Sequence, residues 1–155
     1  MTTAAIDTSV VVALADEHDK WHAHALSLRD AILAAGLQQV YFDCVINEAL
    51  GVVGRRAEEQ RRSEQFSRLL DGLLALIPAE AITWISGAGE RLFSEILALC
   101  RQHQGKLNYH DALMALTCRE LDVDVIVSFD GDFDAIPWLA RVRDPADVGR
   151  VGGAS

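Results

Sequence analysis

Proline, cysteine and lysine are scarce in this chain of 155 residues, at three, three and two. The three cysteines (Cys44, Cys100 and Cys118) are odd in number and widely spaced, which excludes a disulfide framework. They are expected to be free, mostly buried thiols in a reducing cytoplasm. Three prolines and eleven glycines exclude collagen-like and Gly/Pro-rich disordered classes. Long hydrophobic runs are also missing. Val10 to Ala15, among the longest, is far too short to span a bilayer, so no membrane association is expected. Asp7 interrupts the place where the apolar core of a signal peptide would begin, so none is expected.

Positive charge is in deficit. The net charge is −9, which argues against a protein that grips nucleic acid by bulk charge. It leaves room for a nuclease, because five acids gathered around a cation would leave only about −4 elsewhere. Almost all the positive charge is arginine, and five of the twelve (Arg55, Arg56, Arg61, Arg62, Arg68) fall in one short stretch. They are expected to form a solvated helix face laced with Glu58, Glu59 and Glu64. RNA phosphate contacts are the less favoured reading.

Half the residues are hydrophobic, enough for a core of one domain. Strands are expected at Thr3 to Ile6, Gln39 to Asp43, Ala81 to Ile85, Val123 to Ser128 and Trp138 to Val142. Helices are expected at Thr8 to Ala15, Lys20 to Ala35 (stopped by Gly36), Val45 to about Arg56, Glu58 to Ile77, Gly87 to His103 and Asn108 to Leu121. Strands alternating with helices predict βαβ units and a parallel sheet covered on both faces. The domain is expected over residues 1–148, with a frayed tail over 149–155.

Sites in such sheets lie beyond the carboxyl ends of the strands, and the acids fall there. Asp7 follows the first strand. Asp130 and Asp132 follow the Val123 to Ser128 strand. Glu48 lies early in the helix after the second strand, and Asp111 in the first turn of the Asn108 helix. Each has a bland alternative: Asp7 as a helix cap, Asn108-x-x-Asp111 as a capping box, Glu48 as a solvated acid, Asp130-Gly131-Asp132 as a turn. Their common edge favours function. Two carboxylates about 5 Å apart repel by roughly 3 kcal/mol at an effective dielectric of 20, and a divalent cation relieves this. Oxygen donors without a zinc-spaced His or Cys pair favour Mg²⁺, with Mn²⁺ as a substitute. Such an ion activates water and clamps phosphate oxygens, the chemistry of phosphodiester hydrolysis.

The anchors Ile6-Asp7-Thr8-Ser9, Asn47-Glu48-Ala49, Tyr109-His110-Asp111-Ala112-Leu113 and Ser128-Phe129-Asp130-Gly131-Asp132-Phe133 resemble, in order and spacing, a PIN domain of the VapC ribonuclease-toxin type. The resemblance implies a three-layer α/β/α fold with a mainly parallel sheet. It implies a Mg²⁺-dependent endoribonuclease that hydrolyses RNA through a carboxylate-bound, metal-activated water. Asp7, Glu48, Asp111 and Asp130 would be the acidic quartet and metal ligands, with Asp132 as a common fifth acid and Ser128 orienting them. It further implies a cognate antitoxin, which often sets a basic side chain among the acids, and a homodimer in the cytoplasm. The competing readings are a receiver-like or dehalogenase-like Mg²⁺ phosphotransfer domain and a non-catalytic PIN-like scaffold. The remaining aromatic and imidazole groups are read structurally first: Trp84 and Trp138 as core, Trp21 as helix packing ahead of base stacking, His18, His22 and His24 as surface, with a helical metal pair of His18 and His22 at i, i+4 as the alternative, and His110 as helix surface, with a place beside the site as its alternative.

Overall fold

Thr3–Ile6 forms the first strand, β1, whose side chains are buried from Ala4 onward on both faces. That burial marks a central strand of a parallel sheet. In the computed structural model, which describes residues 1–152, it is joined by β2 (Gln38–Phe42), β3 (Ile82–Thr83), β4 (Val125–Val127) and β5 (Ala140–Val142). The order is β3-β2-β1-β4-β5 and every neighbouring pair is parallel. The chain winds outward from β1 to β3 on one side, then returns to β4 on the other. The switch point therefore falls between β1 and β4, where a site is expected. A receiver-like sheet would run 2-1-3-4-5, so that topology is overturned.

Among the described residues, seven α-helices complete the α/β/α layers. They are α1 (Thr8–Ala15), α2 (His22–Ala34), α3 (Asp43–Glu59), α4 (Phe66–Leu76), α5 (Gly89–Gln102), α6 (Tyr109–Glu120) and α7 (Pro145–Val151). Helix α1 packs on α2, α3 and α4, α5 lies against α6, and α2 against α7. Gly36 ends α2 with φ +70°, as its position predicted. No helix among the described residues is long and apolar enough to cross a membrane. Cys44 and Cys118 are buried thiols, both pushed up to about 12 by burial, and Cys100 is half-buried.

Several expectations need correction. The expected helix over Glu58 to Ile77 is divided: α3 ends at Glu59 and α4 starts at Phe66. Arg61 takes φ +54°, with Arg62 N donating to Ala57 O and Arg61 N to Glu58 O. This is a Schellman stop made without glycine. Asp43 belongs to α3, where its carboxylate accepts from the Ile85 and Ser86 amides. The expected third strand shrinks to Ile82–Thr83, and Trp84 is 76 % exposed, not core. Trp138 is half-buried, its indole donating to Ala115 O at 2.7 Å. The expected tail over 149–155 begins inside α7, whose Asp144–Asp147 capping box and Pro145 start a helix reaching Val151. Residues 153–155 lie outside the described residues.

Ile126 is fully buried in β4. Ile126→Ala is expected to cost about 2–5 kcal/mol in urea unfolding. Trp84→Ala should stay within about 0.5 kcal/mol.

Candidate active site

Backbone pairing builds the site first. The Asp7 amide donates to Val127 O at 3.0 Å, and the Ser128 amide to Val142 O at 3.1 Å. These bonds carry the ladders one residue past β1 and β4, so Asp7 and Ser128 stand side by side at the carboxyl edge. Asp7 occupies the N-cap position of α1 but makes no side-chain cap bond. Its Oδ2 instead accepts from Ser128 Oγ at 2.7 Å and Ser9 Oγ at 2.9 Å. Those hydroxyls themselves accept from the Asp130 and Phe129 amides, at 2.9 and 3.1 Å. With these amides as donors, the hydroxyl protons are directed at Asp7.

Asp111 serves two purposes at once. Its Oδ2 accepts from Asn108 N at 3.1 Å, and its amide donates to Asn108 Oδ1 at 2.9 Å, a complete capping box on α6. The same side chain lines the cleft. Asp130 also joins two roles: Oδ1 accepts the Asp132 amide at 2.9 Å and starts a 3₁₀ turn over Gly131–Ala135. Glu48, in the second turn of α3, is held from both sides. Thr8 Oγ1 donates to Oε2 at 2.9 Å, and His110 Nδ1 lies 2.9 Å from Oε1. The carboxylate can only accept, so Nδ1 carries the proton.

Asp7, Glu48, Asp111 and Asp130 all line one cleft of about 610 Å³. Ser128 lies fully buried beneath it. Asp132 is not brought to the cleft lining. Burial raises Asp7 despite the donors Ser128, Ser9 and the Thr8 amide, and Glu48 adds to the rise. Burial also drives Asp111 up to about 7, against the Asn108 amide and with added repulsion from Asp7, Glu48 and Asp130.

Thr8 and Ser9 were not expected here, and His110 takes the less favoured of its two expected places, beside the site. Their signal was adjacency: Thr8 and Ser9 follow Asp7, and His110 precedes Asp111. His110 is not a plain surface residue, since it pairs with Glu48. His18 and His22 form no helical pair, because α2 starts at His22; His22 Nδ1 lies 2.7 Å from Ala13 O. The arginine cluster does not lace its own face. Arg56 reaches Asp19 at 2.6 Å, Arg62 reaches Asp16 at 3.7 Å, and Arg68 reaches Glu17 at 3.5 Å.

The acids ring the cleft and do not form a closed cage. Among the described residues, no three His, Cys, Asp or Glu side chains are gathered closely enough to hold an ion by themselves. This donor set fits Mg²⁺, which keeps several waters and is bound through one or two carboxylates plus substrate phosphates.

Asp7 and Asp111 have folded-state pKa values above the unfolded value of 3.8. The folded state therefore holds more protons, and stability falls as pH rises from about 4 through about 7. In EDTA the melting temperature is expected to drop over that range. Asp7→Asn should flatten the drop and melt a few degrees higher at pH 8, at about 2–4 °C per kcal/mol. Thermal melts at stepped pH check this.

The PIN domain family model matches residues 4–139. Among curated proteins, no relative matches the chain significantly. Among solved structures, it is similar to the Mycobacterium tuberculosis toxin VapC20, described as cleaving the Sarcin-Ricin loop. The TM-score is 0.66 and identity 19%, over 90% of this chain and 98% of that one. It is also similar to VapBC2 from Rickettsia felis, bound to a DNA fragment from their promoter, with TM-score 0.62, identity 17%, and coverage of 91% and 98%. PAE2754 from Pyrobaculum aerophilum follows with TM-score 0.55, identity 16%, and coverage of 97% and 89%. At these identities the structural likeness carries the fold alone, but the family model spans most of the chain: it belongs to the PIN domain family.

Proposed function

We propose that this chain is a Mg²⁺-dependent endoribonuclease, the toxin of a toxin–antitoxin pair, with Mn²⁺ as a substitute. One observation carries the reading. Four acids from four separate parts of the chain line a single cleft, and their crowding helps lift Asp111 to about 7. Buried carboxylates that repel one another gain most from a divalent cation. Asp7 and Asp111 would hold it, each already fixed by hydrogen bonds. Mg²⁺, when bound, supplies an activated water and a clamp on the phosphate oxygens.

The chain's own groups do the remaining work. Ser128 and Ser9 aim the Asp7 carboxylate. Glu48, gripped by Thr8 and His110, and Asp130, set by its own turn, would complete a second ion site or orient and deprotonate the attacking water. Asp132 would act only through that turn, since its amide fixes Asp130 Oδ1. Similarity to a toxin described as cleaving the Sarcin-Ricin loop supports RNA as the substrate. Similarity to VapBC2 supports an antitoxin partner. Exposed Phe93 and Leu97, one turn apart on α5, and Trp84 just before it support a homodimer. A cytoplasmic location accords with free, high-pKa thiols.

Incubation with tRNA, rRNA and mRNA in Mg²⁺ should cut RNA, and EDTA should abolish cutting. Asp111→Asn should lose at least about 100-fold in rate, as expected when several kcal/mol of charge stabilisation is removed, with its circular dichroism unchanged. Cleavage that persists in that variant, or in EDTA, rejects the assignment. Absence of cleavage by the wild type would favour the scaffold reading. Thr8→Val, which frees Glu48 Oε2, should slow cleavage about 10-fold with little change in melting temperature, read in the same assay.

A further inference from the structure

The cleft has a second end that the acids do not use. The loop from Asp16 to Trp21 forms its lip, together with Val52, Arg56 and Gln60 of and beside α3. This lip is fixed. Asp16, only 2 % exposed, accepts from the His18 amide at 3.0 Å. Asp19 accepts from the Trp21 amide at 2.8 Å through one oxygen and from Arg56 at 2.6 Å through the other. Arg56, Arg62 and Arg68 are thereby tied to the loop and neutralised by its acids.

Trp21 is held on that lip. Its ring stacks on Phe129 at 5.2 Å between centroids and 21° between planes. Phe129 stands between Ser128 and Asp130, and its amide donates to the Ser9 hydroxyl that also binds Asp7. The aromatic pair is thus wired to the acid end of the same cleft. Two cations lie over the Trp21 ring, Lys20 at 5.9 Å and Arg143 at 5.6 Å from its centroid. Both side chains are exposed. Among the described residues, neither has a carboxylate within ion-pair distance, unlike Arg56, Arg62 and Arg68. Lys20 is one of only two lysines in the chain.

A half-buried indole with Phe129 on one face and two exposed, unpaired cations over it is the chemistry of a nucleotide site: a base stacks on the ring in place of the cations, which take its phosphates. We propose that Trp21, with Lys20 and Arg143, is a subsite for a single-stranded RNA nucleotide flanking the one that is cut. This rests on the ribonuclease reading. It gives an acidic protein a local cationic hold on a polyanion, and it gives the cleft a direction, with chemistry at one end and stacking at the other.

The test measures two readouts on the full chain. Binding is followed with a labelled single-stranded oligoribonucleotide in the Asp7→Asn background, so the strand is not consumed. Cleavage is followed with Asp7 intact. Adding Trp21→Ala should weaken binding by about 5- to 150-fold and raise KM with little change in kcat; Trp21→Phe should restore most of the affinity. A phosphodiester strand of the same length without bases should be indifferent to Trp21→Ala. Lys20→Ala with Arg143→Ala, both exposed positions that leave the packing intact, should weaken binding of both strands. It should also reduce the slope of log affinity against log salt by about 1.4, at about 0.7 per phosphate contact. If Trp21→Ala melts below the assay temperature, Trp21→Leu and the double cation variant decide. Wild-type cleavage with unchanged KM and affinity in the Trp21 and cation variants overturns the subsite and leaves the ribonuclease reading standing. A wild type that neither binds nor cuts RNA overturns both.

Discussion

Everything at the carboxyl edge of this sheet answers to one constraint: negative side chains have been moved out of water and toward each other. Asp7 is 5 % and Asp111 7 % exposed, and Glu48 and Asp130 add their fields. A folded chain tolerates this only where other interactions over-determine the positions. The β1–β4 pairing does so for Asp7, since its own amide extends the ladder. A capping box does so for Asp111. Opposed donors do so for Glu48. The same desolvation that strains the acids makes them effective: charge stabilisation acts most strongly where water is excluded.

That constraint explains why structural and functional readings of single residues need not compete. Asn108-x-x-Asp111 is a genuine capping box and a cleft-lining acid, because the box takes up one carboxylate oxygen, Oδ2. Asp130 likewise turns the chain with Oδ1. Asp7 is the exception. It sits where a cap belongs yet makes no side-chain cap bond, and the hydroxyls of buried Ser128 and half-buried Ser9 take the place of one. A cap is a cheap way to orient a carboxylate at the start of a helix, and the start of a helix after a parallel strand is where this fold gathers its chemistry.

How much was legible in the sequence follows from how local each determinant is. β1 and α1 have the expected boundaries because their apolar runs are unbroken and short. The edge location of the four acids followed from strand ends and helix starts alone. The helix stops before Gln104 and Asp122 were legible to within a residue, but the one at Arg61 was not: its positive φ is a conformation usually signalled by glycine. α7 was hidden because Val148 is the one residue within it that is buried, too little for a periodic signal. Trp84 was misread because β3 pairs only at Ile82 and Thr83, so alternation fails at the next residue. The contacts of His110 with Glu48 and of Trp21 with Phe129 span 62 and 108 positions; no local pattern encodes them.

The net charge of −9 then takes on a different meaning. Association with a polyanion is governed by the field along the path of the strand, which screening confines to within about 8–10 Å of each surface charge. Acids elsewhere on the molecule hardly enter. Near the cleft, the two fields differ in kind. At the acid end the charge is buried, weakly screened and suited to a divalent cation. At the lip, Asp16 and Asp19 cancel Arg56 and Arg62, which stiffens the loop and leaves Lys20 and Arg143 as the free charges over Trp21. Two cations give weak, salt-sensitive affinity and little sequence discrimination on their own. A stacking ring held rigid beside them adds affinity that salt does not screen. On the proposed subsite, selectivity among RNAs would come from which unpaired nucleotides can lie flat against Trp21 while a phosphate reaches the acids, a matter of strand shape more than of base identity.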